Sequence, residues 1–246
     1  MTALCITADD YGLAPAINEA IEELAAAGAV QAVSVMAHGG AHLDTLPRLL
    51  DTGVAVGVHL VLTDEPGGYR ALFRKMLFDP RLARRLAQRC AGQIERLREL
   101  GVPIAFVNSH EHVHMFPLLW PQLAPLVEGS GAGAVRFALD APLSLSAEGA
   151  LGAAARLSWK LRPVRGARVL APRGAGRAGK LSLASIASMI ADRDTDVLPE
   201  LVFHPAADGR CYGGAGEDRR REYELLGSGA VHELLARHAV TVQAPV

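Results

Sequence analysis

Short apolar runs alternate along this chain with longer stretches of helical period. Ala3-Leu4-Cys5-Ile6-Thr7-Ala8 is apolar and then breaks into Asp9-Asp10-Tyr11-Gly12, the pattern of a buried parallel strand ending in a polar loop. From Pro15 to Ala27, the residues Ile17, Ala20, Ile21 and Leu24 recur at helical spacing, and Gly28 supplies a stop. The pattern then repeats. Ala32 to Met36 predicts a second strand, followed by a helix through Ala41 to Leu50, and Val54 to Leu62 predicts a third strand with His59 in its C-terminal half. A basic helix is expected from Pro80 to Leu100. The strand Ile104 to Val107 follows it and runs into Asn108-Ser109-His110-Glu111-His112-Val113-His114.

A helix around Leu118 to Val127 leads to a strand from Ala134 to Ala138 that carries Arg136. Leu198 to Phe203 reads as a late strand ending in His204-Pro205, Ala230 to Arg237 as the last helix, and Val240 to Val242 as a short final strand. The segment Leu161 to Lys180, rich in Arg, Gly, Ala and Pro, shows no such period and reads as a mobile loop or an irregular excursion over a barrel mouth. Strands alternating with helices define an α/β chain whose parallel sheet has right-handed crossovers, open or closed into a barrel. No repeat and no sharp change of composition divides it, so residues 1–246 are expected to form one domain.

Composition narrows the functional classes. Half of the 246 residues are hydrophobic, enough for one sizeable core. The 25 Lys and Arg against 26 Asp and Glu give no overall electrostatic drive toward nucleic acid or an anionic membrane, and a small, locally recognised substrate fits better. Cys5, Cys90 and Cys211 are few and unpatterned, which argues against a disulfide framework or a thiolate metal site and makes each a small core hydrophobe. No leader and no apolar run of roughly 20 residues is visible, so a cytoplasmic protein with no membrane insertion is expected; a homodimer is compatible with the sequence.

The residues able to do chemistry share one position. Asp9 and Asp10, His59, His110 and His204 all fall at or just past the C-terminal ends of expected strands, the face on which parallel α/β folds assemble their sites. Adjacent carboxylates repel one another, and a divalent metal resolves this for one while leaving its neighbour free to act as a base. Taken alone, such a pair is better read as capping the helix that begins at Pro15. His110, His112 and His114 lie at i, i+2 and i+4; in extended backbone all three would face one side, with one expected to be a ligand and two to be supporting groups. His59 is a lone imidazole in an apolar strand, by itself a satisfied core residue and a ligand only in company with the other clusters. Arg136 is a lone guanidinium in another, either paired with a carboxylate at the same mouth or a strand-end surface arginine with no role. No GxSxG elbow, Walker loop or Rossmann fingerprint is present.

Thr7-Ala8-Asp9-Asp10-Tyr11-Gly12-Leu13, Gly57-Val58-His59-Leu60, Ser109-His110-Glu111-His112-Val113-His114-Met115-Phe116-Pro117 and, more weakly, Phe203-His204-Pro205-Ala206 resemble, in order, the motifs of the YdjC-like carbohydrate deacetylases, the group of chitooligosaccharide deacetylases and their hopanoid-associated relatives. That resemblance implies a distorted, TIM-barrel-like (β/α) barrel of mostly parallel strands that hydrolyses N-acetyl groups on amino sugars. It implies Asp10, His59 and His110 as ligands of one divalent ion (magnesium or zinc, with manganese and cobalt as alternatives). Asp9 would be the base, His204 the acid and Arg136 the partner of the base, while Tyr11, His112 and His114 would contact the substrate. Relatives often carry Asp where this chain has Asn108. Two rival readings stand beside this one: a metal-free glycoside hydrolase using Asp9 or Asp10, and a non-catalytic sugar-binding protein on the same barrel.

Overall fold

The computed structural model describes residues 2–63, 68–79, 81–141, 144, 146–173, 179–191, 197–210 and 215–246. Seven strands, β1 (Thr2–Tyr11), β2 (Ala32–Val35), β3 (Ala55–Leu60), β4 (Ile104–Ser109), β5 (Ala134–Arg136), β6 (Arg168–Arg173) and β7 (Leu198–Phe203), pair in parallel in chain order. Because β1 pairs with both β2 and β7, the ring closes into a parallel barrel with no free edge. A short β8 (Val240–Val242) joins Thr2–Leu4 of β1, ahead of the point where β2 begins to pair.

Helices ring the barrel because parallel neighbours require a crossover. They are α1 (Pro15–Ala26), α2 (Leu46–Asp51), α3 (Gly68–Phe78), α4 (Leu82–Glu99), α5 (Trp120–Ser130), α6 (Ala147–Leu161), α7 (Leu183–Ala191), α8 (Gly216–Gly227) and α9 (Ala230–Arg237). The α/β barrel that the family resemblance implies is thus present, and the alternating pattern, which allowed an open or a closed sheet, takes the closed form. The main core lies between strands and helices, where Leu4, Ile6, Val33, Val35, Val58 and Val107 meet helical residues such as Ile17, Ile21 and Leu97.

The inside of the barrel is layered. Cys5, Ala32, Phe106, Ala134, Leu170 and Leu198, from six strands, form a separate apolar cluster. Two residues further along their strands stand Thr7, Ser34, Asn108, Arg136 and Glu200, all fully buried. The two-residue period of a strand keeps these on the same interior side, one layer nearer the C-terminal ends. The barrel is therefore apolar at its base and polar just beneath its mouth. Gly57 makes room for this packing, since a Cβ there would stand 2.6 Å from the ring of Phe106, its cross-strand neighbour.

Three expectations need correction. The helix expected from Ala41 shortens to α2, because the Gly12 carbonyl accepts from the His42 N–H at 2.8 Å and the His42 carbonyl accepts from Asn18 at 2.8 Å, which holds that segment as a loop. The segment Leu161 to Lys180 contains β6, whose buried residues are only Leu170, Ala171 and Pro172; residues 174–178 lie outside the described residues. A further helix, α3, precedes the basic helix, which here runs Leu82–Glu99, Pro80 lying outside the described residues. Its period escaped notice because Tyr69, Phe73 and Leu77 form its apolar stripe yet face outward, and only Met76 is buried.

Cys5 and Cys90 are buried and unbridged, burial pushing both thiols up to about 12. Cys211 lies outside the described residues. No helix among the described residues is long and apolar enough to cross a membrane.

Candidate metal and catalytic site

At the mouth, β1 supplies two adjacent carboxylates to one cavity. Successive strand residues normally point to opposite faces, but the pairing of β1 with β2 slips between Ala8 and Tyr11, and Asp10 takes a left-handed φ of 72°. Asp9 continues the interior series of Cys5 and Thr7, and the kink brings Asp10 round beside it. Both are fully buried.

Asp10 faces two imidazoles. Its Oδ1 lies 3.1 Å from His59 Nε2 and 3.1 Å from His110 Nδ1, while Oδ2 accepts from Arg219 Nη2 at 2.6 Å. One ligand atom from each of Asp10, His59 and His110 falls within 4.8 Å of the others, the spread of a three-residue metal site. His59 Nε2 is buried and, despite its closeness to Asp10, lacks a well-aligned hydrogen bond there. Such a nitrogen directed at a carboxylate and a second imidazole fits a divalent cation, as does an O/N donor set. Charge points the same way, since Asp9, Asp10 and Glu200 outnumber Arg136 and Arg219 at the site by one. Burial would raise the Asp10 carboxyl, yet the His110 and His59 contacts outweigh it and hold the group well below the usual carboxylate range. His110 moves the opposite way: burial opposes its charge, but the bond to Asp10 raises it.

Asp9 belongs to a different network. Its Oδ2 accepts from Arg136 Nη1 at 2.6 Å, and its Oδ1 accepts from Arg136 Nη2 at 3.0 Å and from Ser34 Oγ at 2.5 Å. On its other side, Arg136 donates from Nε and Nη2 to Glu200 at 2.6 and 2.8 Å, and Thr7 Oγ1 donates to Glu200 at 2.6 Å. Burial works against an ionised Asp9, but Arg136 outweighs it, with His59 adding to the effect, and the carboxyl stays charged far below neutral pH. The same two carboxylates overcome the burial of Arg136 and raise it further.

Asn108 links the two networks. Its amide is satisfied when the oxygen accepts from both Arg136 Nη atoms at 2.9 Å and the nitrogen donates to the Val58 carbonyl at 3.2 Å and to His59 Nδ1 at 2.7 Å. That places the proton of a neutral His59 on Nε2, facing Asp10. An ion at Nε2 requires the proton on Nδ1 instead, where Ser34 Oγ stands 3.2 Å away.

His204 follows β7 and brings Nε2 to 3.9 Å from Asp9 Oδ2, while its backbone N–H donates to Glu222 at 2.6 Å. Burial lowers its imidazole to about 4, so it rests neutral. His112 is partly buried, with Nδ1 buried and lacking a partner among the described residues; burial and then Arg136 keep it neutral.

The histidine segment is not extended. His110–Met115 forms a 3-10 turn, and Glu111 and His112 take φ values of 53° and 56°. His114 is thereby turned into the core, with Nδ1 2.6 Å from Ser109 Oγ, Nε2 2.7 Å from the Arg136 carbonyl and its ring against Trp120 and Phe137. Tyr11 is equally buried, its hydroxyl bonded to Glu22 at 2.8 Å and Thr45 at 2.9 Å. The expectation that His114 and Tyr11 contact the substrate therefore fails, because their polar atoms are spent within the fold.

The residues missed from the sequence are Glu200, Arg219, Ser34 and Asn108. Glu200 had a signal: like Arg136, it is a lone charge in an apolar run, Leu198-Pro199-Glu200-Leu201, and the two form a pair. Arg219 had none, lying in the exposed-looking sequence Asp218-Arg219-Arg220-Arg221.

A likeness in fold alone links the chain to a solved structure from Enterococcus faecalis V583, described as a candidate cellobiose-phosphate cleavage protein, at TM-score 0.73 and 19% identity over 99% of this chain and 97% of that one. A chitooligosaccharide deacetylase of Escherichia fergusonii is 32% identical over 143 residues, 52% of this chain and 56% of the relative. One from Salmonella typhimurium is 32% identical over 136 residues, 49% of this chain and 54% of the relative, and a carbohydrate deacetylase of Vibrio campbellii is 28% identical over 137 residues, 49% and 53%. The match thus spans about half the length of these curated relatives. The family model described as YdjC-like protein matches residues 3–237, and the chain belongs to that family.

Proposed function

We propose that this protein is a metal-dependent hydrolase that removes an N-acetyl group from an amino sugar or an amino-sugar-containing oligosaccharide. The observation that carries the reading is the placement of Asp9, held ionised by Arg136, beside the Asp10, His59 and His110 cluster and within 3.9 Å of His204. The deacetylase names of its curated relatives support the substrate class.

Asp10, His59 and His110 would hold the ion, which when bound would act as a Lewis acid toward the acetamide carbonyl and ease deprotonation of water. Asp9 accepts the proton of the attacking water as general base. Arg136 keeps Asp9 charged before the step, and Ser34 fixes its orientation. His204 rests neutral, so it can take that proton from Asp9 and deliver it to the departing amine, balancing the transfer. His112, at the same mouth, offers its ring to the sugar. Arg219 neutralises the second oxygen of Asp10 and holds it in place.

The test is an acetate-release screen over N-acetylated monosaccharides and oligosaccharides, with chelator and with added magnesium, zinc, manganese or cobalt. Release that vanishes with chelator and returns with one ion is the expected result. New reducing ends without acetate, formed even with chelator, would favour a metal-free glycosidase, and sugar binding with neither product would favour a binding protein.

A further inference from the structure

The near-neutral total charge conceals a polarised surface. Residues 68–89 hold seven Lys or Arg against one acidic residue, Asp79, and Asp64 and Glu65 just before them leave the stretch basic. Arg70, Arg74 and Lys75 on α3 and Arg81, Arg84 and Arg85 at the start of α4 are exposed, and Asp79 is taken by Arg85 at 2.5 Å.

Within this basic zone the large apolar side chains also face outward. Phe78 is 83% exposed, Leu77 57% and Phe73 40%. Tyr69, Phe73 and Leu77 form one stripe of α3 and, with Phe116 and Leu157, line a groove of about 630 Å³ between α3 and α6. Leu161, 58% exposed, extends the apolar character of α6 by one turn. Four exposed large apolar side chains on one short helix differ from the singly scattered apolar residues of an ordinary surface. The groove also adjoins the mouth: the Phe116 ring lies 5.6 Å from Phe73 and 6.4 Å from Tyr69, and Gly68 approaches Glu111, the residue after His110, so closely that a Cβ would stand 2.8 Å from its carboxylate.

We propose that the α3 face is a docking surface for an anionic lipid bilayer, with Tyr69, Phe73, Leu77 and Phe78 seated at the interface and the surrounding cations against the headgroups. An amphipathic helix with aromatic and aliphatic residues on one side and Arg and Lys on the flank is the pattern of interfacial binding without spanning. The sign of the charge decides between occupants. A symmetric second copy would set the cations of α3 against the same cations of its partner, and like charges in apposition oppose association. Anionic headgroups satisfy both the cations and the exposed rings. Docked in this way, the protein would turn the side of its mouth that carries Glu111 and Phe116 toward the membrane surface. This inference is independent of which bond the site cleaves.

The experiment is co-sedimentation of the whole protein with vesicles of phosphatidylglycerol and phosphatidylcholine in equal parts, against vesicles of phosphatidylcholine alone. Binding to the mixed vesicles, at least tenfold stronger than to the neutral ones and lost at ~0.5 M salt, is expected. The L77S/F78S and R70E/R74E variants should each bind on the order of tenfold more weakly, while far-UV circular dichroism and metal binding at Asp10 stay as in the parent. Four results would each overturn the proposal: no binding, equal binding to both vesicles, variants that bind like the parent, or a self-association in sedimentation velocity that the same variants abolish while vesicles bind nothing. The last would assign the face to a second copy of the chain.

Discussion

The guanidinium of Arg136 bridges Asp9 and Glu200 inside the barrel, with 2.6 Å contacts to each carboxylate and every one of these groups closed to solvent. One positive charge is shared by two negative ones, so each carboxylate helps to set the other's environment. Asp9→Asn keeps the shape while removing one charge. We expect turnover to fall about 100- to 10,000-fold, with metal affinity retained because Asp10, His59 and His110 are untouched; acetate release together with metal titration calorimetry checks this. Full activity in Asp9→Asn would remove Asp9 from the role of base.

Glu200 touches no expected substrate position, yet its loss should be costly. Glu200→Ala leaves Arg136 with half of its carboxylate partners in a closed interior, and breaking a buried pair destabilises by about 3–5 kcal/mol. Urea denaturation should show a lowered midpoint, with Glu200→Gln losing less because it keeps a hydrogen-bonding shape.

Metal binding should depend on residues in two ranks. Asp10→Asn and His110→Ala are expected to abolish stoichiometric binding, since each removes a donor. Ser34→Ala removes the hydroxyl that can accept from His59 Nδ1 and should weaken binding by about 10- to 100-fold. Calorimetric titration with zinc or manganese separates these outcomes, and unchanged affinity in Ser34→Ala would show that the Nδ1 proton is accepted instead by the Asn108 oxygen, turned toward Nδ1 at 2.7 Å.

Glu222 should work against the stability that the buried, neutral His204 adds as pH rises through the weakly acidic range. Burial raises the Glu222 carboxyl to about 7 although it accepts from the backbone of His204. Between about 4.5, the unfolded value, and about 7, the folded state holds a proton that the unfolded chain has released, so this group removes stability with increasing pH at about 1.4 kcal/mol per unit. Above about 7 both states are ionised and the slope ends. Glu222→Gln removes this opposing contribution, so the melting temperature of the variant relative to the parent should rise with pH across that segment. An unaltered slope would place its origin elsewhere.

Gly57→Ala should destabilise the barrel without touching any polar group. The added methyl would meet the buried Phe106 ring at 2.6 Å, and overpacking of this kind costs about 1–3 kcal/mol. Because Gly57 lies two residues before His59 on β3, a weakening of metal binding should accompany the lowered melting temperature.

Much of this architecture was legible because parallel strands buried on both sides announce themselves as apolar runs, and β1, β3, β4 and β7 do so. The strand-end placement of Asp9, Asp10, His59, His110 and His204 likewise follows from fold class, and the structure gathers all five at one mouth. What escaped was governed by tertiary contacts. β6 begins and ends in Arg, and its three-residue buried stretch, which includes Pro172, is too short to register as a period. The histidine segment has the spacing of an extended strand, but two left-handed residues coil it and send His114 into the core. α3 carries its apolar stripe on the wrong side for a core helix. Arg219 reaches Asp10 across more than two hundred residues, a pairing that no local pattern encodes.

The slip in β1 between Ala8 and Tyr11 also fixes where the chain tolerates length changes. Below it, Cys5 and Thr7 keep step with the interior layers of five other strands; above it, Tyr11 keeps step with β2 alone. The kink at Asp10 acts as a phase joint, so one residue added or removed on either side would not shift the site a little but exchange its inside for its outside. Loss of a single codon just before Asp9 would turn Asp9 outward toward the core at the position of Ala8. Insertions and deletions should therefore be purged from this joint far more strictly than substitutions, and a designer grafting this mouth onto another barrel would have to carry the joint with it.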